Sequence, residues 1–279
     1  ASQGQVSPAP QVIQVPQGSG WQDNTRAAFY SLDQGSRIMP LAWFKALKTA
    51  DGQPFAADKL ARYGYLPNPF TNDLPIGFTA AGQGRPFIGM TCSACHTRQV
   101  AVAGQQYRID GGPALSDLYS LFIDMTDAVG RALKPENFGQ FATDVLGPNA
   151  TQQDIDTLRL EMVRWYDRES ALTERALKST KPWSFGRADA IGMIFNRLTG
   201  LDIGPAPDYL IKENILPANA PVRYPFLWNA ARQDFTQWPG FAPNGNDLFG
   251  LIRNLGEVYG VFAEFHPKPG SGFFGTDFL

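Results

Sequence analysis

Residues 92 to 96 read Cys92-Ser93-Ala94-Cys95-His96 and contain the only two cysteines of a 279-residue chain. No other feature restricts the fold as strongly. The pattern C-x-x-C-H is the c-type haem attachment signature, two thiols spaced to add across the haem vinyl groups and an imidazole placed to bind the iron. On one helical turn Cys92 and Cys95 lie on the same side, and His96 can swing its ring under the porphyrin. A chain built on such a turn has to bury a large flat apolar group.

Three other readings use the same residues. A redox dithiol usually follows a strand in a β-α-β unit, whereas Ile88-Gly89-Met90-Thr91 and Thr97-Arg98-Gln99-Val100 supply only short apolar stubs. A simple disulfide is the second. A zinc site would need Cys92, Cys95, His96 and His266, taking both histidines of the chain and asking adjacent Cys95 and His96 to bind one ion. Haem is the favoured reading: one covalent haem c, with His96 on the iron.

The chain is 43% hydrophobic and 18% charged with a formal net charge of −2. That is enough apolar matter to enclose a haem, and it offers no basic footprint for nucleic acid. No run approaches the roughly 18 consecutive apolar residues of a membrane span. The start, Ala1 to Pro10, has no initiator Met, no basic n-region and no apolar h-region, which suits a chain whose signal peptide has been removed. The expected location is the periplasm or outside the cell.

Helical periodicity dominates the pattern. Helices are expected over 21–33, 40–48, 55–63, 115–129, 135–146, 151–179, 186–198 and 250–265, with a small hairpin around Gly104 between Val100 and Tyr107. Glycine and proline, 28 and 22 residues, point to long loops, notably 65–87 and 205–225. The expected architecture is mainly α: a loop-rich c-type cytochrome domain with helices around the haem and few or no strands. Residues 1–20 form an extended arm, 21–266 the haem domain, and 267–279 a Gly-rich tail or junction.

Four longer stretches carry a resemblance. Phe29 to Pro40 (FYSLDQGSRIMP), Leu74 to Thr79 (LPIGFT), Tyr107 to Ala114 (YRIDGGPA) and Tyr224 to Ala230 (YPFLWNA) are similar to the N-terminal part of the bacterial dihaem cytochrome c peroxidase superfamily. Within it, they most resemble the branch with the haem-dependent rubber oxygenases. The resemblance covers roughly residues 21 to 266 and implies an exported haem c oxidoreductase whose N-terminal haem binds oxygen and whose second haem is ligated on both faces. This sequence departs from that pattern, because it has no second C-x-x-C-H. The second redox centre is therefore expected on a partner chain or on a missing C-terminal domain.

The far side of the iron separates an enzyme, which activates peroxide or oxygen at an open position, from an electron-transfer cytochrome with six ligands. Sixth-ligand candidates are His266, the only other histidine, and Met39, Met90, Met125, Met162 and Met193. Met125 and Met162 fall on apolar helix stripes, where a methionine is more often core filler. An open position is the reading the resemblance favours. Trp228 and Trp238 are candidate electron relays, with packing as the plain alternative. Arg85, Arg98 and Arg108 bracket the motif and are candidates to pair with haem propionates. Asp110, before Gly111-Gly112, reads as a turn or cap residue.

Overall fold

Capping side chains and short alternating segments divide the chain. The structure, a computed structural model, describes residues 11–236, 240, 242–261, 263, 268–269 and 276–277. The elements before the motif are β1 (Val12–Gln14), α1 (Asp23–Ser31), β2 (Met39–Pro40), α2 (Leu41–Ala46), β3 (Phe78–Ala81) and β4 (Phe87–Met90). After it come β5 (Thr97–Val102) and β6 (Gln105–Asp110), then α3 (Leu118–Ala132), α4 (Pro135–Leu146) and α5 (Gln152–Leu172). The C-terminal part holds β7 (Arg187–Ala188), α6 (Ala190–Phe195), β8 (Val222–Arg223), β9 (Phe235–Thr236), β10 (Ala242–Pro243), α7 (Asp247–Gly260), β11 (Lys268–Pro269) and β12 (Thr276–Asp277).

This is a mixed α/β chain, which corrects the mainly α expectation. Two three-stranded sheets, ordered β1-β6-β5 and β2-β4-β3, adjoin the motif through β5 after it and β4 before it, and three two-stranded ladders follow. Residues 91–96 are the turn between β4 and β5, so the apolar stubs beside the motif are strands. Periodicity missed them for a physical reason. A strand of two to six residues shows too few alternations to declare a period, and several partners are remote: Val12 pairs in parallel with Gln106, and Met39 pairs antiparallel with Ile88. The β5-β6 hairpin extends beyond the expected Val100–Tyr107, turning through Ala103 and Gly104, both at positive φ, as a two-residue hairpin turn demands. The helix expected over 55–63 shrinks to a 3-10 turn at Ala61–Tyr63, because Lys59 and Leu60 take left-handed backbone angles that an α-helix cannot contain.

The long helices start where the sequence offers caps. Asp117 accepts from the Ser120 N–H to start α3, and α4 begins with Pro135 in its first turn. Thr151 and Asp154 bond reciprocally in a capping box at α5. Both α5 and α6 run on into π-helical turns, Thr173–Leu177 and Asn196–Leu201. Beside them buried Arg197 meets buried Glu169 at 3.4 Å, and Arg168 meets buried Asp202 at 3.1 Å.

One apolar core joins α2, α3, α4 and α5 to the β2-β4-β3 sheet, through Trp43, Phe44, Ile88, Phe122, Met125, Phe138, Phe141, Leu158 and Met162. It positions the motif by burying Met90 just before it and Ala114 and Leu118 shortly after. Among the described residues no helix is long and apolar enough to cross a membrane.

Candidate functional site

The motif forms a 3-10 turn over Cys92–Ala94, with the Cys95 N–H donating to the Cys92 carbonyl at 3.2 Å and the His96 N–H to the same carbonyl at 3.0 Å. Residues three apart eclipse on a 3-10 turn, so both thiols face one side. Neither cysteine is in a disulfide.

Each of the four stretches that carried the family resemblance supplies a direct hold on this turn. From the first, Gln34 Oε1 accepts from the Cys92 N–H at 3.0 Å. From the second, the Gly77 carbonyl accepts from the Thr91 N–H at 2.9 Å. Gly77 has φ +86°, and a Cβ there would lie 2.2 Å from the Ala94 backbone, so only glycine lets the chain pass this close. From the third, the Gly111 N–H donates to the His96 carbonyl at 2.8 Å and the Ala114 N–H to the Cys95 carbonyl at 2.9 Å. From the fourth, the Pro225 carbonyl lies 2.9 Å from His96 Nδ1. A carbonyl can only accept, so Nδ1 carries the proton and the lone pair of the neutral ring sits on Nε2.

Burial sets the electrostatics. It pushes both thiols up, Cys95 to about 12, despite the Tyr224 hydroxyl bonded to Cys95 and the Gln34 amide beside Cys92. It also lowers His96 below its ordinary 6.5, against the pull of the Pro225 carbonyl. A nucleophilic dithiol depends on a lowered thiol value, which burial of Cys92 and Cys95 opposes. Tyr224, 6.2 Å from the His96 ring, and Tyr65 crowd Cys95, and burial drives both phenols well above their ordinary value. The Tyr65 hydroxyl is buried beside Ser116.

The remaining residues singled out from sequence are scattered. Arg108 is buried and holds Gln99 Oε1 at 2.8 Å and the Pro67 carbonyl at 3.2 Å, which makes it an internal strut. Arg98 is half-buried, with one long contact to the Pro113 carbonyl at 3.5 Å. Arg85 pairs with Glu161 at 2.7 Å and lies over the Trp43 ring of α2, 5.6 Å from its centre. All five methionines are in the buried core. Trp228 is 39% exposed, stacks on Phe226 with ring centres 5.5 Å apart, and donates its indole N–H to the Asp110 carbonyl at 3.0 Å. Trp238 and His266 lie outside the described residues.

Sequence reasoning missed Pro225, Gly77 and Gln34, although all three sit in the stretches it quoted. It also undervalued Asp110. That buried carboxylate accepts from Trp21 Nε1 at 2.7 Å, from Arg26 Nε at 2.9 Å and from the Tyr30 hydroxyl.

Comparison with known proteins gives one sequence relative: the chain is 30% identical over 280 residues to an uncharacterized protein of Sinorhizobium fredii, y4iJ. That alignment takes in 87% of this chain and 44% of the relative, so the chain spans less than half the length of the protein it matches. No family model matches the chain. No solved structure matches it either.

Proposed function

We propose that this chain is a c-type haem oxidoreductase of the peroxidase and oxygenase superfamily. The observation that carries the reading is the bond from His96 Nδ1 to the Pro225 carbonyl. It leaves Nε2 as the ligand atom on a residue that directly follows two neutral, unpaired thiols. Cys92 and Cys95 would hold the haem through thioether bonds, and His96 would be the axial ligand. When bound, the haem supplies an iron centre for peroxide, oxygen or electron chemistry.

The residues of this chain orient and shield that site. Pro225 fixes the tautomer and rotation of His96, and a carbonyl acceptor raises the basicity of the ligand. Gln34, Gly77, Gly111 and Ala114 lock the backbone of the turn. Tyr65 and Tyr224 exclude water from the Cys95 side. Arg98 is the guanidinium near the motif with room to pair with a propionate, since Arg108 is already committed. Phe226 and Trp228 put an aromatic surface beside the Pro225 to His96 connection. From there electrons would be exchanged with a second redox centre, carried by a partner chain or by a further domain. The lone C-x-x-C-H in 279 residues is what calls for that partner. Covalent haem c attachment also places the protein in the periplasm or outside the cell.

Ferric and ferrous absorption spectra, recorded with and without carbon monoxide and paired with the mass of the denatured protein, test this reading. We expect a mass above that of the bare polypeptide and a ferrous form that binds carbon monoxide. A bare polypeptide mass, or zinc in place of iron, overturns it. Covalent haem with a six-coordinate low-spin ferric spectrum and no carbon monoxide binding would reassign the chain as an electron-transfer cytochrome.

A further inference from the structure

We propose that the buried Arg26–Asp110 pair is the positioning and electrostatic base of His96, and that the N-terminal segment controls the reduction potential of the iron through it. This rests on the haem reading above and adds a group outside the attachment motif.

Asp110 stands at the end of β6, opposite Thr97 of β5, one residue after His96. Its neighbour Gly111 donates to the His96 carbonyl at 2.8 Å and accepts from the Leu227 N–H at 2.9 Å. The Asp110 carbonyl accepts from Trp228 Nε1 at 3.0 Å. The Asp110–Gly111 corner thus grips both the backbone of His96 and the 225–228 segment whose Pro225 carbonyl holds the ring. Any shift of this corner moves the ligand backbone and the ring anchor together.

The other side of the corner belongs wholly to the N-terminal segment. Trp21, Arg26 and Tyr30 all donate to the Asp110 carboxylate, and Gln17 Nε2 donates to its carbonyl at 2.6 Å. Asp110 is 1% exposed and Arg26 is 6% exposed, so their charges act through protein, where screening by water and salt is weak. Arg26 also reaches Asp23 at 2.6 Å, but that carboxylate is at the surface. Arg108 is the other cation of the cluster, close enough to act on Tyr30 and Asp110. Its guanidinium is fixed by Gln99 and Pro67.

Removing one charge at a time separates an electrostatic base from mere packing. Asp110→Asn leaves Arg26 uncompensated, adds positive charge beside the ligand, favours the ferrous iron and should raise the potential. Arg26→Gln leaves Asp110 uncompensated and should lower it. The double variant should return close to wild type, and Tyr30→Phe, which changes no charge, should shift the potential by much less than either single change. The measurement is a potentiometric titration of the holoprotein, followed by its haem absorption.

Opposite shifts for the two single variants, cancelling in the double, support the proposal. If only one of them folds, the sign of its shift decides. Shifts of the same sign, or none, overturn it, because loosened packing would move both variants the same way. Those results come from protein that carries covalent haem and leave the functional reading standing; wild-type protein without covalent haem overturns both.

Discussion

The Cys92–His96 turn and helix α7 are held by opposite means. Around residues 91–96, backbone and side chain are bonded from four separate parts of the chain, and a methyl group added at Gly77 would collide with the Ala94 backbone. Helix α7 has a well-made start, with Asn246 accepting from the Leu248 and Phe249 N–H groups. Yet Leu248, Leu251, Ile252 and Leu255, spaced as one helical stripe, are each about half exposed. Its other faces meet the protein through Gly260 on Ile194 and Val258 near Gly35. The contrast teaches where this fold puts its order. Convergent hydrogen bonds make the turn a fixed platform, whereas α7 packs along α6, is bonded at its Tyr259 carbonyl by Arg197 Nε at 3.0 Å, and keeps an apolar face toward solvent.

The largest effect should come from the turn. The double variant Cys92→Ala with Cys95→Ala should lose all covalent haem and fail to accumulate as folded protein. Mass spectrometry of the denatured protein and a thermal melt check this, and a variant that melts like the parent would mean the haem is no part of the core.

Next is Gly77→Ala, which forces a left-handed backbone and a close contact on the turn at once. We expect a loss of about 2–4 kcal/mol in a denaturant titration. A loss under about 1 kcal/mol would show that the 77–79 segment can move away from the turn, and the contrast with α7 would weaken.

Glu257 links the two regions, since it lies on α7 and acts electrostatically on Cys92. Desolvation by neighbouring groups pushes its carboxyl above the ordinary 4.5 even though the residue keeps an exposed surface, while Arg253 pulls it down. The folded state therefore keeps a proton that the unfolded chain releases first. This group's contribution is complete below pH 4.5 and is lost as pH rises through the raised value. Thermal melts in that window should fall with rising pH more steeply for the wild type than for Glu257→Gln. Parallel curves would mean that the carboxyl is fully solvated.

The smallest effect belongs to the α7 stripe. Leu251→Lys and Leu255→Lys should each change the unfolding free energy by no more than about 0.5 kcal/mol, as is usual at exposed positions. A loss above about 1 kcal/mol would show that this face is covered.

Much of the site was legible along the chain. The motif stood out, and the four stretches that resembled a known family turned out to be those that grip it. Their roles were not legible. Pro225 lies 129 positions from His96, and nothing in a proline marks its carbonyl as a ligand anchor. Asp110 looked like a turn residue because four of its donors, Gln17, Trp21, Arg26 and Tyr30, come from a segment eighty or more positions away. Arg108 looked like a propionate partner because sequence shows charge but hides the Gln99 and Pro67 groups that engage it.

Local chemistry was enough for the longer helices and for the turn at residues 92–96. Caps such as Asp117 and Thr151, the apolar stripes of α3, α4 and α5 and the C-x-x-C-H spacing each act over a few residues, where the pattern and its cause coincide. The sheets, the tautomer of His96 and the Arg26–Asp110 pair arise between residues far apart in the chain. Short strands gain their stability from partners, and a buried charge or ring nitrogen takes its state from whatever group folding brings against it. Those properties exist only once the chain has closed on itself.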